Sequence, residues 1–541
     1  MVMKIFGRNI TIGSAVYDDG RTRVEAAVEK IKGGHKITGT VKGRPGRIEI
    51  YRAVAPKEFL VNNWQSWGPM QKMRPGQKFE GAEERMSGQG RYVFTPVPDV
   101  FSAHLVSDYF VAWRGGLAGF LTSKIAHPYF VVDSGDLVGY LEYFDTLFED
   151  PVPLEPLVFL DGDPVEQLLE EYAIRAAVQN AVHVNAWNPV GWSSWYHYFT
   201  DLKLADIEKN LRIARGAFPF EVFQIDDGFA ADIGDWLSPK AGFGPLPELA
   251  GLIRDYGFQA GLWTAPFSAS ETSALYGKHP DWMVSDAGSA KFCHRGWNKN
   301  IYALDTTNPR AKNWLYETFA ELKAMGFDYF KIDFVFAAAM EGARSRRVSP
   351  IQAYREGLDV IRQAVGDSFI LGCGAPLLPS IGRVDGMRVG EDTAPFWDSR
   401  KAPLQGVNAY YALKNSILRS FMHKKWWLND PDCLLLRRRE IALADHEQEL
   451  YARTAGALDN MIIESDDLEL VDEWGRKLLD EAIRLKGGHV RVRGLLEDDF
   501  YLVDSWGGPS GIFRYAANLS DVMKTTDHQD VPPRTGVFIK P

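Results

Sequence analysis

Residues 308–336 read NPRAKNWLYETFAELKAMGFDYFKIDFVF. Asn308 followed by Pro309 is the punctuation of a helix start: a capping side chain, then a residue lacking an amide proton where none is needed. Leu315, Phe319 and Leu322 recur on one stripe, and Gly326 stands just past the end of the pattern. Asp328–Phe336 then forms a short apolar run, which reads as a buried strand. One helix feeding one buried strand is the building unit of a parallel α/β sheet.

The same texture repeats on either side. Eight such runs can be counted: Gly191–Phe199, Glu221–Asp227, Gln259–Phe267, Asp328–Phe336, Ser368–Gly374, Gly386–Thr393, Lys425–Asp430 and Asn460–Ser465. Helical stripes lie between them. Leu204, Ile207, Leu211 and Ala214 precede Gly216, and Leu249, Leu252, Ile253 and Tyr256 precede Gly257. Ser349-Pro350 opens another helix that stops at Gly366, and Tyr410–Phe421, Asp445–Leu458 and Leu468–Leu485 supply the later ones. Eight strand–helix pairs predict a (β/α)8 TIM barrel over residues 181–487, with its active site at the carboxyl ends of the strands. A doubly wound sheet is the alternative, but no glycine-rich dinucleotide loop follows the first strand.

Residues 1–180 read differently. Short runs such as Lys36–Lys42, Arg47–Tyr51, Asp108–Trp113, Gly119–Ser123, Tyr129–Asp133 and Gly139–Phe144 are separated by turn signals, among them Gly115-Gly116 and Ser134-Gly135-Asp136. This spacing predicts an N-terminal antiparallel β-sandwich domain, with Arg85–Tyr92 as an exposed loop and a helix over Pro164–Ala177 leading out. His489–Arg493 and Phe500–Val503 predict a small C-terminal antiparallel β domain over 488–541. No internal repeat of 20–50 residues is visible.

Composition narrows the class of function. Of 541 residues, 45% are hydrophobic and 24% charged, which are ordinary globular values. The 61 basic residues are outweighed by 71 acidic ones, and no basic block offsets the net charge of −10, so no nucleic-acid partner is expected. The longest apolar stretch, Phe334–Met340, is far too short to cross a bilayer, so no membrane association is expected. Met1–Asn9 carries Lys4 and Arg8 and no apolar leader, which predicts a cytoplasmic protein. Cys293, Cys373 and Cys433 are too few and scattered for a disulfide framework or a zinc site. Oligomeric state is left open, a homo-oligomer included.

The strand ends carry the chemistry. They hold Trp195 and His197, Asp226-Asp227, Trp263, Lys331 with Asp333, Cys373, Arg388 with Glu391-Asp392, Asp430 with Asp432, and Glu464 with Asp466-Asp467. Buried charges are costly unless paired, and the acids of the seventh and eighth strands read largely as structural pairs and caps. Aromatics, several carboxylates and two cations without a phosphate loop suit a sugar: CH faces stack on tryptophan, hydroxyls bridge charged groups, and glycosidic cleavage needs two carboxyl groups. Asp333, two residues after Lys331, suits the ionised nucleophile, whose pKa an adjacent cation lowers. Asp392 and Glu391 are equal candidates for the general acid, because spacing does not choose between them. His197 reads as a hydrogen-bonded structural residue, and Cys373 by itself as packing. A metal site built from Asp226, Asp333 and Asp392 is conceivable but lacks the usual His or Glu ligands, so no metal is expected.

These residues reach a known pattern. Trp192-Ser-Ser-Trp-Tyr-His-Tyr-Phe, Phe223-Gln-Ile-Asp-Asp, Gly261-Leu-Trp-Thr-Ala-Pro-Phe, Tyr329-Phe-Lys-Ile-Asp-Phe and Arg388-Val-Gly-Glu-Asp-Thr-Ala-Pro-Phe-Trp closely resemble the α-galactosidases of glycoside hydrolase family 36. Asn62-Asn-Trp-Gln-Ser-Trp67-Gly, Ser107-Asp-Tyr-Phe, Trp427-Leu-Asn-Asp-Pro-Asp-Cys and Leu458-Asp-Asn-Met-Ile-Ile-Glu-Ser extend the resemblance over about residues 36 to 487, towards the compact single-barrel members. It implies a retaining double displacement on small-molecule α-galactosides, without cofactor. Asp333 matches the nucleophile and Asp392 the acid/base. Asp226 and Asp227 match the pair that binds the 4- and 6-hydroxyls, Lys331 the ligand of the 3- and 4-hydroxyls, and Arg388 the contact near the 2-hydroxyl. Trp195 and Trp263 match aromatic walls, Cys373 lies where the fifth strand lines the pocket, and Trp67 matches a tryptophan contributed by the N-terminal domain. Glu391 departs from a relative with proline there; a further carboxylate beside the acid/base would raise its pKa. A transglycosylase of the raffinose-synthase type and an α-N-acetylgalactosaminidase remain alternatives on the same residues. A non-catalytic galactoside-binding protein should lack one of the two carboxylates.

Overall fold

The computed structural model describes residues 3–5, 8–10, 12–79, 86–88, 90–133, 135–398, 407–526 and 529–539. Residues 1, 2, 6 and 7 of the amino terminus, Arg85 and Gln89 of the expected loop, Ser134 of the expected turn, and 527, 528, 540 and 541 of the tail lie outside the described residues.

Two antiparallel sheets open the chain. One has six strands, in the order Arg8–Ile10, Met3–Ile5, Arg47–Val54, Asp136–Glu142, His127–Asp133 and Leu105–Asp108. The other has nine and includes Thr22–Ile31, Gly34–Gly43, Leu157–Gly162, Gly115–Phe120 and Phe110–Trp113. Tyr51 of the first sheet meets Phe159 of the second at 4.3 Å between ring centroids, and Phe130 meets Phe120 at 5.2 Å, so the two faces close as a sandwich. Asp108–Trp113, read as one strand, is two. Tyr109, at φ 74°, turns the chain from one sheet into the other, because Asp108 is held inward by His127 at 2.8 Å. Gly115-Gly116, read as a turn, begins a strand.

The barrel sheet holds eight parallel strands: Val190–Ser193, Val222–Ile225, Gln259–Thr264, Tyr329–Ile332, Phe369–Gly372, Gly386–Arg388, Leu428–Asp430 and Ile462–Glu464. The ladder runs unbroken from the seventh strand through the first to the eighth, and Met461 N donates to Asn429 O at 2.9 Å where its two ends meet. Every strand is shorter than its apolar run, and in all but the seventh carboxyl-end residues leave the ladder to build the loops. Ser193, for example, is followed by a one-turn helix, Trp195–Tyr198. Helices Leu204–Ala214, Leu246–Asp255, Pro309–Ala324, Pro350–Val365, Ala409–Leu418, Asp445–Ala457 and Glu473–Leu485 follow seven of the strands. After the fifth there is only Leu377–Ser380. The sandwich occupies the space instead: Leu377 N donates to Trp64 O and Ser66 N to Ala375 O, both at 2.9 Å.

The connection after the third strand was not foreseen. It folds into a three-stranded sheet, Ser268–Ser270, Lys299–Ala303 and Phe292–Gly296. At the carboxyl end of the chain, His489–Arg493, Phe500–Gly508, Gly511–Asn518 and Thr535–Ile539 form a four-stranded antiparallel sheet. Among the described residues, no helix is long and apolar enough to cross a membrane.

Candidate active site

A cleft of about 360 Å³ opens at the carboxyl ends of the barrel strands. Trp195, Asp226, Asp227, Trp263, Lys331, Asp333, Asp392 and Trp67 all line it, as does Glu391. Arg388 and Cys373 are fully buried one layer behind the wall.

Asp333 follows the last residue of the fourth strand. Its backbone amide still donates to Thr264 O at 2.8 Å, and then Phe334 turns left-handed at φ 51°. Each carboxylate oxygen accepts from an N–H, Trp263 Nε1 reaching Oδ2 at 3.1 Å and Phe334 N reaching Oδ1 at 2.7 Å, and the Cys373 thiol hydrogen-bonds the same carboxylate. The carboxylate is therefore fixed in direction before any ligand arrives. Gly374 permits this approach. At φ 51°, a side chain there would lie 2.9 Å from the Trp67 ring and 3.1 Å from Asp333 Oδ1.

The cation beside Asp333 lowers its pKa as the spacing suggested but does not set the net direction. Lys331 Nζ pairs with Asp226 Oδ2 at 2.8 Å. Burial raises the Asp333 pKa, the Lys331 charge pulls it back, and the Asp392 charge adds to the rise. The net direction is upward, because desolvation outweighs the attraction.

Asp226 is buried and accepts from Gln224 Nε2 at 2.5 Å in addition to Lys331, while its amide donates to Ser194 Oγ at 2.9 Å. Asp227 turns the other way and accepts from Trp297 Nε1 at 2.7 Å and Gly228 N at 2.7 Å. Burial pushes its pKa up to about 6; the Trp297 bond opposes that, and the charges of Asp226 and Asp333 reinforce it. Asp392 is about one-third exposed and accepts from Arg388 Nη2 at 2.7 Å. The other guanidinium arm, Nη1, lies 3.0 Å from Asp432 Oδ1.

The sandwich completes the wall. Trp67 Nε1 lies 3.3 Å from Cys373 Sγ, and its ring meets Phe334 edge-on at 4.8 Å. The loop carrying it is bolted to the barrel by Arg419, which donates to Asn62 Oδ1, Ser66 O and Val389 O. Arg419 is fully buried, and burial lowers its pKa to about 9. Val93 and Phe94, just beyond the segment expected as an exposed loop, also line the cleft. Within that segment Met86 and Gly90 are buried, because Gly90 packs on Cys293 and His294.

The sequence reading missed the hairpin that carries His294, Arg295 and Trp297, all of which line the cleft. Trp297 and Asn298, at φ 52° and 58°, form its two-residue turn. His294 stacks on Phe334 at 5.2 Å, and burial lowers its pKa to about 4. The length of chain between the third strand and Asn308 was the available signal, since structureless connections of that size are uncommon. His197 sits apart from the cleft wall, with Nε2 3.9 Å from Asp467. No group of three or more His, Cys, Asp or Glu is arranged to hold a metal ion among the described residues.

Comparison with known proteins places this arrangement. The family model "Alpha-galactosidase, N-terminal" matches residues 27–161, and the model "Melibiase" matches residues 165–358. An α-galactosidase of Escherichia coli is 26% identical over 231 residues, 40% of this chain and 30% of that protein. The aligned stretches span a third or less of the length of the first curated relatives. The structure of TtGalA, an α-galactosidase from Thermus thermophilus in complex with p-nitrophenyl α-D-galactopyranoside, is 28% identical, with a TM-score of 0.73 over 91% of this chain and 98% of that one. The GH36 α-galactosidase AgaA of Geobacillus stearothermophilus, at 14% identity, shares the fold with a TM-score of 0.64 over 97% of this chain and 79% of that one. With both family models in succession and this architecture throughout, the chain belongs to the α-galactosidases of glycoside hydrolase family 36.

Proposed function

We propose that the chain hydrolyses terminal α-galactosides with retention of configuration. The observation that carries this reading is the pair of carboxylates on one cleft: Asp333, pinned by two N–H donors, and Asp392, held by Arg388 at the cleft's open side. In the first step, Asp392 delivers its proton to the glycosidic oxygen while an Asp333 oxygen bonds to C1 from the β face and the C1–oxygen bond to the aglycone breaks. In the second, the Asp392 carboxylate takes a proton from water as that water bonds to C1 from the α face, and the bond to Asp333 breaks. Asp333 is again a carboxylate and Asp392 again an acid.

The electrostatics support one proton shared between the two carboxyls; the division of roles itself rests on the resemblance. The charge of Asp392 helps to raise the Asp333 pKa, and that push vanishes when Asp392 carries its proton. The reactive form, with one carboxyl protonated and one ionised, is thus the favoured way to share a single proton between them. The wall of Trp67, Trp195 and Trp263 suits the CH face of a sugar, and Asp226, Asp227 and Lys331 suit its hydroxyls. The resemblance gives Arg388 the neighbourhood of the 2-hydroxyl. Its commitment to Asp392 and Asp432 supports a further role through Asp392.

The test is proton NMR of an aryl α-galactoside during turnover. Release of α-galactose first, followed by mutarotation, is the expected result. Release of the β anomer first would overturn retention, and cleavage of α-glucosides in preference would overturn the substrate.

A further inference from the structure

Asp432 lies two residues past the seventh strand, at φ 79°, and is buried. It touches nothing that reacts, yet its groups converge on the acid/base. Oδ1 is 3.0 Å from Arg388 Nη1, Oδ2 accepts from Thr393 N at 2.7 Å, and the Tyr196 hydroxyl donates to Oδ2. Its own amide donates to Asp430 Oδ1 at 2.9 Å. Arg388 thus stands between two carboxylates, Asp392 on Nη2 and Asp432 on Nη1.

This arrangement answers a chemical difficulty. An acid/base must hold a proton in one half of the reaction, and a carboxylate in a private ion pair with a buried arginine holds one poorly. A second buried carboxylate on the same guanidinium removes the difficulty, because protonating the first no longer leaves a buried cation unpaired. The geometry points to Asp432 as a positioning residue for the reaction: it neutralises and orients Arg388 so that Asp392 can carry a proton as well as release one.

The inference rests on the reading of Asp392 as acid/base. Other groups act on the same cluster and remain in place in the variants. Lys331 faces Asp432 from the fourth strand, Asp430 and Cys433 flank it, and Tyr451 approaches from the helix Asp445–Ala457. Asp333 faces Asp392 across the cleft, Cys373 feels its charge from behind the wall, and Glu391 adjoins it.

The experiment compares Asp432→Asn with the wild type on an activated aryl α-galactoside and on an α-galactosyl disaccharide. Removing the Asp432 charge hands the whole guanidinium to Asp392. The expected result is a loss of kcat/KM on the disaccharide about tenfold greater than on the aryl substrate, because only the poor leaving group needs the proton. The basic limb of the pH profile should also move to lower pH by about one unit, with galactose affinity changed less than kcat. Asp432→Ser, which removes the same charge with a smaller side chain, should shift both measures in the same direction, and it serves where Asp432→Asn does not fold. Equal losses on both substrates with an unmoved limb in the folded variants would make Asp432 merely structural and overturn the inference. Asp392→Ala is run alongside. If it shows no dependence on leaving group, the reading of Asp392 fails; if it does and the Asp432 variants do not, the inference alone fails.

Discussion

Trp297 donates its indole proton to Asp227 Oδ2 at 2.7 Å from a backbone position at φ 52°, a left-handed conformation that a bulky side chain adopts at a cost. The strained turn and the buried acid support each other. The hairpin places the indole where it opposes the rise in the Asp227 pKa, while Asp226 and Asp333 add to that rise. Such a cluster is built at a cost in stability.

The first prediction measures that cost. Asp227 has its pKa raised to about 6 from an ordinary 3.8, so the folded protein binds this proton more tightly than the unfolded chain does. Its contribution therefore falls as pH rises from about 4 to about 6 and stays low above that. Asp227→Asn should melt higher than the wild type at pH 8, by up to about 3 kcal/mol of stability, and the gain should shrink to near zero by pH 4. Galactose binding should weaken in the same variant. A melting difference independent of pH would show that the acid is not strained.

Much of this cluster was legible in the sequence, and the reason is topological. In a barrel, the residue after each apolar run is delivered to one face, so Asp226, Lys331, Asp333 and Asp392 could be placed together without any knowledge of distance. What was not legible depends on contacts between distant segments. Trp297 lies 70 residues from Asp227 and is brought to it by a hairpin whose Trp-Asn turn carries no glycine. Trp67 lies 306 residues from Cys373 and was placed only through the resemblance. The acid at Asp432 read as structural because nothing in the sequence ties it to Arg388, and the expected depression of the Asp333 pKa failed because spacing reveals a neighbouring charge but not the depth of burial.

Trp67 tests the cooperation of the two large units. Its ring edges against Phe334 and its indole reaches Cys373, while the loop itself is held by Arg419 and by backbone bonds to Ala375 and Leu377. Trp67→Ala should therefore leave the fold intact and raise KM for galactosides by about tenfold or more, equivalent to about 1.4 kcal/mol. An unchanged KM in a folded variant would reduce Trp67 to interdomain packing.

The carboxylate mechanism also makes a statement about metals. If Asp333 and Asp392 do the chemistry, exhaustive dialysis against EDTA should leave kcat and KM unchanged. Activity lost on dialysis and restored by Mg²⁺ or Zn²⁺ would instead call for a metal-activated water.

The final prediction separates the two carboxylates by stereochemistry. Asp392→Ala removes the proton donor, and a good leaving group hardly needs one. An activated aryl α-galactoside should therefore still galactosylate Asp333 and then stall, because no base remains to activate water. Azide needs no base, so it should enter from the α face and release α-galactosyl azide, restoring turnover. Asp333→Gly empties the opposite face. Azide bound there should attack C1 directly and give β-galactosyl azide, in a single displacement with Asp392 still available as acid. Each residue thus predicts its own anomer, and NMR of the azide product distinguishes them. Reversed anomers would exchange the two roles. Wild-type rates on natural galactosides in Asp392→Ala would move the acid/base elsewhere, and Glu391, on the same cleft wall, is then the residue to replace.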